Sequence, residues 1–301
     1  MAGQQILRGT SITVTETFQV DGVPADLDSG VPTVAAKYPD GSALTPAPVA
    51  SGAWTGRTTG QYRIVLDGQA EVTILDPITW TGTIGGKTQV LYSRVEWVGA
   101  HLFALAEAKT FDGGAIVAAT NAPVPTDQQI MDTRARITDD FAEILGFQPV
   151  PRFARETLDG NGYTALGLRH LKAHRLISVT VNGAPQSGGD YQISIGNEVE
   201  AVSDYGYGTA FTRGRRNVVV EYVHGDERVD PATARAALIV AKSQLIRSDV
   251  TDRATSLAGP EGGTTFLSTA GRESGGQVQW YGLPHTDSVL NRRSQRGFAV
   301  K

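Results

Sequence analysis

Over the first 120 residues, apolar and polar side chains alternate in short stretches separated by turns. Ile12-Thr13-Val14-Thr15, Tyr62-Arg63-Ile64-Val65-Leu66 and Glu71-Val72-Thr73-Ile74-Leu75 each carry an apolar residue at every second position, the period of a strand with one buried face. Residues 88–98 (TQVLYSRVEWV) and 101–109 are further β-rich runs. Asp21-Gly22, Asp40-Gly41 and Asp67-Gly68 supply turns, because glycine tolerates positive φ and aspartate bonds its own backbone. Short strands at this spacing predict an all-β sandwich.

The period changes after Asn121-Ala122-Pro123-Val124-Pro125, whose two prolines in three residues read as a stiff linker. Thr126 and Gln129 have capping-box spacing. Ile130, Ile137, Phe141 and Ile144 then recur on one helical face, joined by Met131 and Leu145, until Gly146 and the prolines at 149 and 151 end the run. A helix is predicted over about 127–145. Residues 152–225 return to strands: 153–158, 165–168, 176–181, 191–195 and 218–223, with Asp159-Gly160-Asn161-Gly162 and Asn182-Gly183 as hairpin turns. Asp230-Pro231 opens a second helix, to about 248, with an alanine-rich stripe of Ala234, Ala237, Leu238, Ala241 and Leu245. From 249 to 281 the chain is polar and glycine-rich yet carries Leu257, Phe266, Leu267, Val278, Trp280 and Tyr281. Two readings stay open: an extended segment that docks on another surface, or a loop packed on its own domain. A final short helix is expected over 284–293, with Thr286 as its cap.

The fold class is therefore α+β: an N-terminal sandwich over 1–122, then a helical domain over 126–301 with a β insertion (152–225) and an extended segment and tail (249–301). A length of 301 residues suits two domains. The stretch VDGVPADLDSGVPTVAAKYPDGSAL resembles immunoglobulin-like modules of surface and phage proteins.

Composition narrows the chemistry. The absence of cysteine excludes disulfides, thiol catalysis and cysteine-ligated zinc. A net charge of −4 gives no global signal for nucleic acid. The charge is uneven: residues 1–125 hold 7 basic and 11 acidic side chains, whereas 126–301 hold 20 of each. From Val289 to Lys301 there are four basic residues, Arg292, Arg293, Arg296 and Lys301, and no acidic one. No run approaches the roughly 20 apolar residues of a membrane span, so synthesis in the cytoplasm without a membrane stage is expected.

Candidate catalytic motifs fail on spacing. Gly86-Lys87-Thr88 would need a glycine at 81 to form a phosphate loop, and Thr81 is there; β character, not a helix, follows. It reads as a hairpin turn. Asp26, Asp28 and Gly30 resemble a calcium loop, but Lys37 stands where the closing glutamate belongs. His170 and His174 are four apart but lie between strands, where that spacing does not converge on a metal. His224 and Asp226 are close enough in sequence to orient one another, with no nucleophile nearby. No catalytic set, metal site or cofactor is expected. Tyr205, Tyr207 and Phe211 beside Arg213, Arg215 and Arg216 form an expected loop tip that contacts a protein partner or DNA.

From about 127 to 295 the order of parts resembles the head–tail connector (adaptor) proteins of tailed bacteriophages. The parts are the opening helix ending in ILGFQPVPRF, the phrase RETLDGNGYTALGLRHLKAHRLISVTVNG with GGDYQISIGNEVE, the helix PATARAALIVAKSQLIRS, and GPEGGTTFLSTAGRESGGQVQWYGLPHTDSVLNRR. The resemblance implies a structural virion protein at the head–tail junction, not an enzyme. It implies a homo-oligomeric ring, usually of twelve copies, under the portal protein. Such a ring extends the DNA channel, where non-specific DNA contact is possible, and docks the next neck, stopper or tail protein. By resemblance, Asp287, Arg292, Arg293, Arg296 and Phe298 are the expected portal contacts. Leu257, Phe266, Leu267, Trp280 and Tyr281 are the expected inter-subunit or neck contacts. The N-terminal sandwich is an added module. A second reading makes that module the working part of a tail or baseplate protein binding carbohydrate or a receptor, through Trp54, Trp80 and Trp97.

Overall fold

A computed structural model describes residues 4–28, 30–117, 124–187, 189–202, 210–246, 256–258, 264–266, 280–281 and 283–294. The fold is α+β. Its contacts divide the chain into two units, each discontinuous in sequence: Met1–Gly99 with Arg152–Gly167 and Arg175–Val223, and Ala100–Pro151 with Leu168–His174 and His224–Lys301.

The first unit is built on strands. β1 (Gln4–Leu7), β5 (Thr33–Ala36), β7 (Thr73–Ile84) and β8 (Lys87–Val98) form one sheet in the order β1-β8-β7-β5, while β2 (Ile12–Thr17) pairs with β6 (Gln61–Leu66), and β3 (Gln19–Val20) with β4 (Val23–Pro24). β1 runs parallel to β8; the remaining pairs are antiparallel. The alternation read in the sequence sets the faces. Val14, Tyr62, Ile64 and Leu66 point inward from the β2–β6 pair and share a core with Val34, Ile78, Trp80, Val95 and Trp97 of the larger sheet. The polar ends of the large aromatics are satisfied inside. The Trp80 indole donates to Ser93 Oγ at 2.8 Å, the Trp97 indole to the Thr10 carbonyl at 3.0 Å, and the Leu27 amide donates to the Tyr62 hydroxyl at 2.8 Å.

Gly85 and Gly86 take positive φ in the β7–β8 hairpin, and their amides donate to the Asp28 carboxylate at 3.1 and 3.0 Å. Thus the near-miss phosphate loop is a hairpin turn. The near-miss calcium loop uses its carboxylates as turn clamps: Asp28 on this hairpin, and Asp26 on the Gly60 amide and Arg57.

The same unit holds most of the β insertion. β9 (Arg152–Gly160), β11 (Ala173–Val181), β12 (Ala184–Pro185) and β15 (Gly214–His224) form a sheet in the order β12-β11-β15-β9, and β10 (Ala165–Gly167), β13 (Tyr191–Ile193) and β14 (Glu198–Ala201) a smaller one. Asn182 and Gly183 both have positive φ (51° and 78°) in the two-residue turn joining β11 to β12, as expected of a type I′ hairpin.

The second unit is built on helices: α1 (Leu105–Gly114), α2 (Asp127–Leu145), α3 (Pro231–Leu245) and α4 (Pro284–Arg293), with a short strand pair, β16 (Ser256–Ala258) and β17 (Thr264–Phe266). α2 has the predicted bounds. Thr126 Oγ1 accepts from the Gln129 amide at 3.2 Å, the Gln129 side chain returns the bond, and Gly146 closes the helix in the left-handed region (φ 79°). Asp230 caps α3, accepting from the Thr233 amide at 2.9 Å, with Pro231 in the first turn. Ile130, Ile137, Phe141, Ala237, Val240, Ala241 and Leu290 are buried in one core shared by α2, α3 and α4.

Three expectations are corrected. Residues 101–109 are not a strand: α1 begins at Leu105, because the Ala-Leu-Ala-Glu-Ala-Lys run is made of strong helix formers and the Glu107 carboxylate accepts from the Ala104 amide. α3 ends at Leu245, short of 248. Thr286 does not cap the last helix; Pro284 starts it a turn earlier and Thr286 is buried within it. Among the described residues, no helix is long and apolar enough to cross a membrane. The expected linker at 121–125 lies largely outside the described residues.

Arg134 is a buried cation on α2. Its guanidinium donates to the Phe103 carbonyl at 3.1 Å and meets His101 Nε2 at 3.1 Å. Burial, then the neighbouring Arg134 charge, pushes the His101 imidazole down to about 3. Since the folded value lies below the unfolded one, unfolding takes up a proton between them. The stabilisation is complete above about pH 6.5 and is lost as pH falls towards 3. A His101→Gln variant is expected to flatten the pH dependence of chemical denaturation between pH 6.5 and 4; an unchanged slope would refute this.

Candidate docking surface of the helical unit

In this unit, charged groups collect around the ends of α2, α3 and α4. Asp226, only 11% exposed at its side chain, binds Lys172 on one side and Arg293 on the other, the latter at 2.7 Å. Arg293 also reaches Asp230 at 3.3 Å and Thr233 Oγ1 at 2.5 Å. The Lys172 ammonium lies 3.4 Å from the centroid of the Phe147 ring, and the Arg293 guanidinium is 5.7 Å from it. Gly225 makes this packing possible. Its φ is +103°, and a Cβ there would stand 2.4 Å from the Val150 carbonyl oxygen. Gly225→Ala is expected to cost about 2–3 kcal/mol, read as a lower midpoint in urea; an unchanged midpoint would overturn the close-approach argument.

α4 is fastened along its length. The Asp287 carboxylate, 5% exposed, accepts from the amides of Trp280 and Tyr281 at 3.2 and 2.9 Å and so folds the preceding segment back onto the helix. The Trp280 indole donates to Asn291 at 3.2 Å. The Tyr281 ring lies 5.9 Å from that of Phe141, and its hydroxyl donates to Asp140 at 3.2 Å. Burial, with the Asp140 carboxylate beside it, pushes the Tyr281 phenol up. At the far end, Ser294 Oγ donates to the Ile144 carbonyl at 2.9 Å.

Beside this anchor, an open cleft of about 430 Å³ runs along the last turns of α2. Asp139, Glu143, Gln148, Arg169, His170 and His224 are among the residues that line it. The His170 and His224 rings stack at 4.3 Å and 28°, a pairing that sequence order, 54 residues apart, gave no sign of. Among the described residues, no cluster of three or more histidine or acidic side chains is placed to hold a metal.

Asp287, Arg293, Trp280 and Tyr281 make the intramolecular contacts above, while Arg292 is exposed. In the first unit, Arg213, Arg215 and Arg216 are exposed, whereas Phe211 is buried with its ring 5.4 Å from Tyr191. Leu257 and Phe266 belong to the β16–β17 pair. Tyr205, Tyr207, Leu267, Arg296 and Phe298 lie outside the described residues. Of the three tryptophans considered for sugar stacking, Trp80 and Trp97 are fully buried; Trp54 is half-buried beneath Arg63, whose guanidinium is 4.7 Å from its ring.

No protein-family model matches the sequence, and no curated protein matches it. Among solved structures, the chain is similar to one in the "Neck of empty GTA particle computed with C6 symmetry", at 12% identity and a TM-score of 0.38, over 49% of this chain and 80% of that one. A likeness at that score fixes neither fold nor role.

Proposed function

We propose that the chain is a structural protein of a phage-like virion, a head–tail connector that forms a ring beneath a portal and receives the next neck or tail protein. What supports the reading is one arrangement. α2, α3 and α4 share a single helical core, although a β insertion separates α2 from α3 and a long glycine-rich segment separates α3 from α4. That is the order of parts on which the resemblance to connectors rests. In this reading the N-terminal sandwich is an added module. The exposed Arg213, Arg215 and Arg216 face a protein partner or DNA. Portal contact falls to Arg292 and the segment after Ser294, because Asp287 and Arg293 hold α4 in place. Trp280 and Tyr281, half-buried against their own unit, leave the glycine-rich stretch before them to meet a neighbouring copy. The reaction-free mechanism is geometric: identical interfaces repeat, and each copy is stabilised by two neighbours.

The carbohydrate-binding alternative loses its main support with the burial of Trp80 and Trp97. Mass photometry of the chain, alone and mixed with its cognate portal, tests the connector reading. A discrete ring or a portal complex, weakened by truncation after Ser294, is the expected result. A monomer that ignores the portal at micromolar concentration would overturn it.

A further inference from the structure

We propose that the open edge of β8 is a pairing site for a second copy of this chain, the two β8 strands running antiparallel about a two-fold axis at Val90. β7 and β8 meet in a two-residue turn, with Ile84 opposite Lys87. In such a hairpin the residues that flank the turn exchange their backbone hydrogen bonds. The backbone groups of Lys87, Gln89, Leu91 and Ser93 therefore face β7, and those of Thr88, Val90 and Tyr92 face away from it. On that far side β1 covers only Val95 to Val98, beginning with Gln4 opposite Val95. Among the described residues, no other strand and no other backbone hydrogen bond occupies the rest of this edge. Residues 87–94 thus form an open lane, closed by the turn at one end and by Gln4 at the other.

Edge strands are ordinarily blunted by charge, proline or brevity. Here the charges, Lys87 and Arg94, stand only at the ends, while Val90 and Tyr92 in the middle are exposed. The Gln89 side chain donates to the Gln19 carbonyl at 2.9 Å and holds the β3–β4 hairpin, with its exposed Val20 and Val23, against the same strand. Apolar surface and unused backbone groups therefore coincide. The lane also fits its own copy. Antiparallel pairing centred on Val90 matches outward-facing groups to outward-facing groups. It sets Val90 opposite Val90, Tyr92 opposite Thr88 and Lys87 opposite Ser93 of the second copy. β-Branched and aromatic neighbours of this kind stabilise cross-strand pairs, and no like charges face each other. The ends of the lane select this register. Centring on Leu91 would send Lys87 of the second copy to Val95, where Gln4 already sits, and centring on Tyr92 would send Thr88 to Glu96, which β1 also covers. Centring on Gln89 would run Tyr92 onto the Gly86 turn and shorten the pairing. An isologous contact closes at two copies and does not propagate a ring, so the pairing is independent of the connector reading.

Sedimentation velocity of the full chain, from about 1 μM to about 0.5 mM, tests the pairing. A monomer–dimer equilibrium with a Kd on the order of 50 μM is expected for so small an interface. Val90→Lys, at an exposed position, sets two ammonium groups opposite each other and should weaken the dimer about tenfold. The chain has no cysteine of its own, so single cysteines report the register. Under mild oxidation Val90→Cys should give a covalent dimer about tenfold faster than Val65→Cys, a more exposed valine on β6, and faster than Tyr92→Cys, whose partner in the pair is Thr88. A monomer throughout the range, a dimer indifferent to Val90→Lys, or equal crosslinking at positions 90 and 65 would overturn the proposal. Crosslinking decides the pairing whether or not the chain also forms rings, and a ring that persists in Val90→Lys bears on the connector reading alone.

Discussion

Glu96→Ala is expected to lower the stability of the first unit by about 3–5 kcal/mol. Glu96, on β8, is 3% exposed, and its carboxylate is gripped at both oxygens by Arg152 at the start of β9, with Nε at 2.8 Å and Nη2 at 2.5 Å. Removing the carboxylate takes the bidentate Glu96 partner from a guanidinium whose side chain is only 15% exposed. That penalty, more than the lost attraction, sets the size of the effect. The contrast with surface pairs is sharp. Arg94–Asp76, with both side chains nearly half exposed at 3.8 Å, should contribute under about 1 kcal/mol. Replacing both members of the buried pair, Glu96→Gln with Arg152→Met, should recover more than half of the loss. Residue-resolved hydrogen exchange of the β8 and β9 amides measures each step. If the double variant is no better than the single one, the cost lies in packing and the ion-pair account fails.

The Glu96–Arg152 pair also shows where the sequence stops being informative. Its members are 56 residues apart, and nothing in the local pattern of either strand marks a partner. The same holds for the His170–His224 stack and for Asp226 between Lys172 and Arg293. Local signals were legible where local physics decides. The Thr126/Gln129 box and Gly146 bound α2 to the residue, Asp230-Pro231 opens α3, and Asn182-Gly183 makes its hairpin. They misled where two readings share one composition. HLFALAEAK alternates weakly enough to pass for a strand, yet its alanines, leucine, glutamate and lysine favour the helix that forms. Thr286 has the chemistry of a cap, but a proline two residues earlier was the stronger start signal. As for the candidate site, the basic character of the tail was legible. The fastening of α4 before it was not, because Ser294 and Ile144 meet only through tertiary packing.

That packing hangs on one ring. Phe141→Ala is expected to cost the helical unit about 3–5 kcal/mol, the range for deleting a fully buried phenylalanine. Phe141 is 0% exposed, sits in the core shared by α2, α3 and α4, and carries the Tyr281 ring. Its loss leaves a cavity beneath both the last helix and the folded-back segment. A loss of this size is a large part of a domain's total stability, so α2, α3 and α4 should lose hydrogen-exchange protection together. Tyr281→Phe is the informative companion. It keeps the ring and removes only the bond to Asp140, a neutral donor to a half-exposed acceptor, so about 1 kcal/mol is expected. Unfolding free energies from a multi-unit chain are not two-state quantities; residue-resolved exchange is therefore the proper readout. If Phe141→Ala released α4 alone while α2 and α3 kept their protection, the three helices would not share one cooperative core. The anchor at Ser294 would then be only as stable as the last helix.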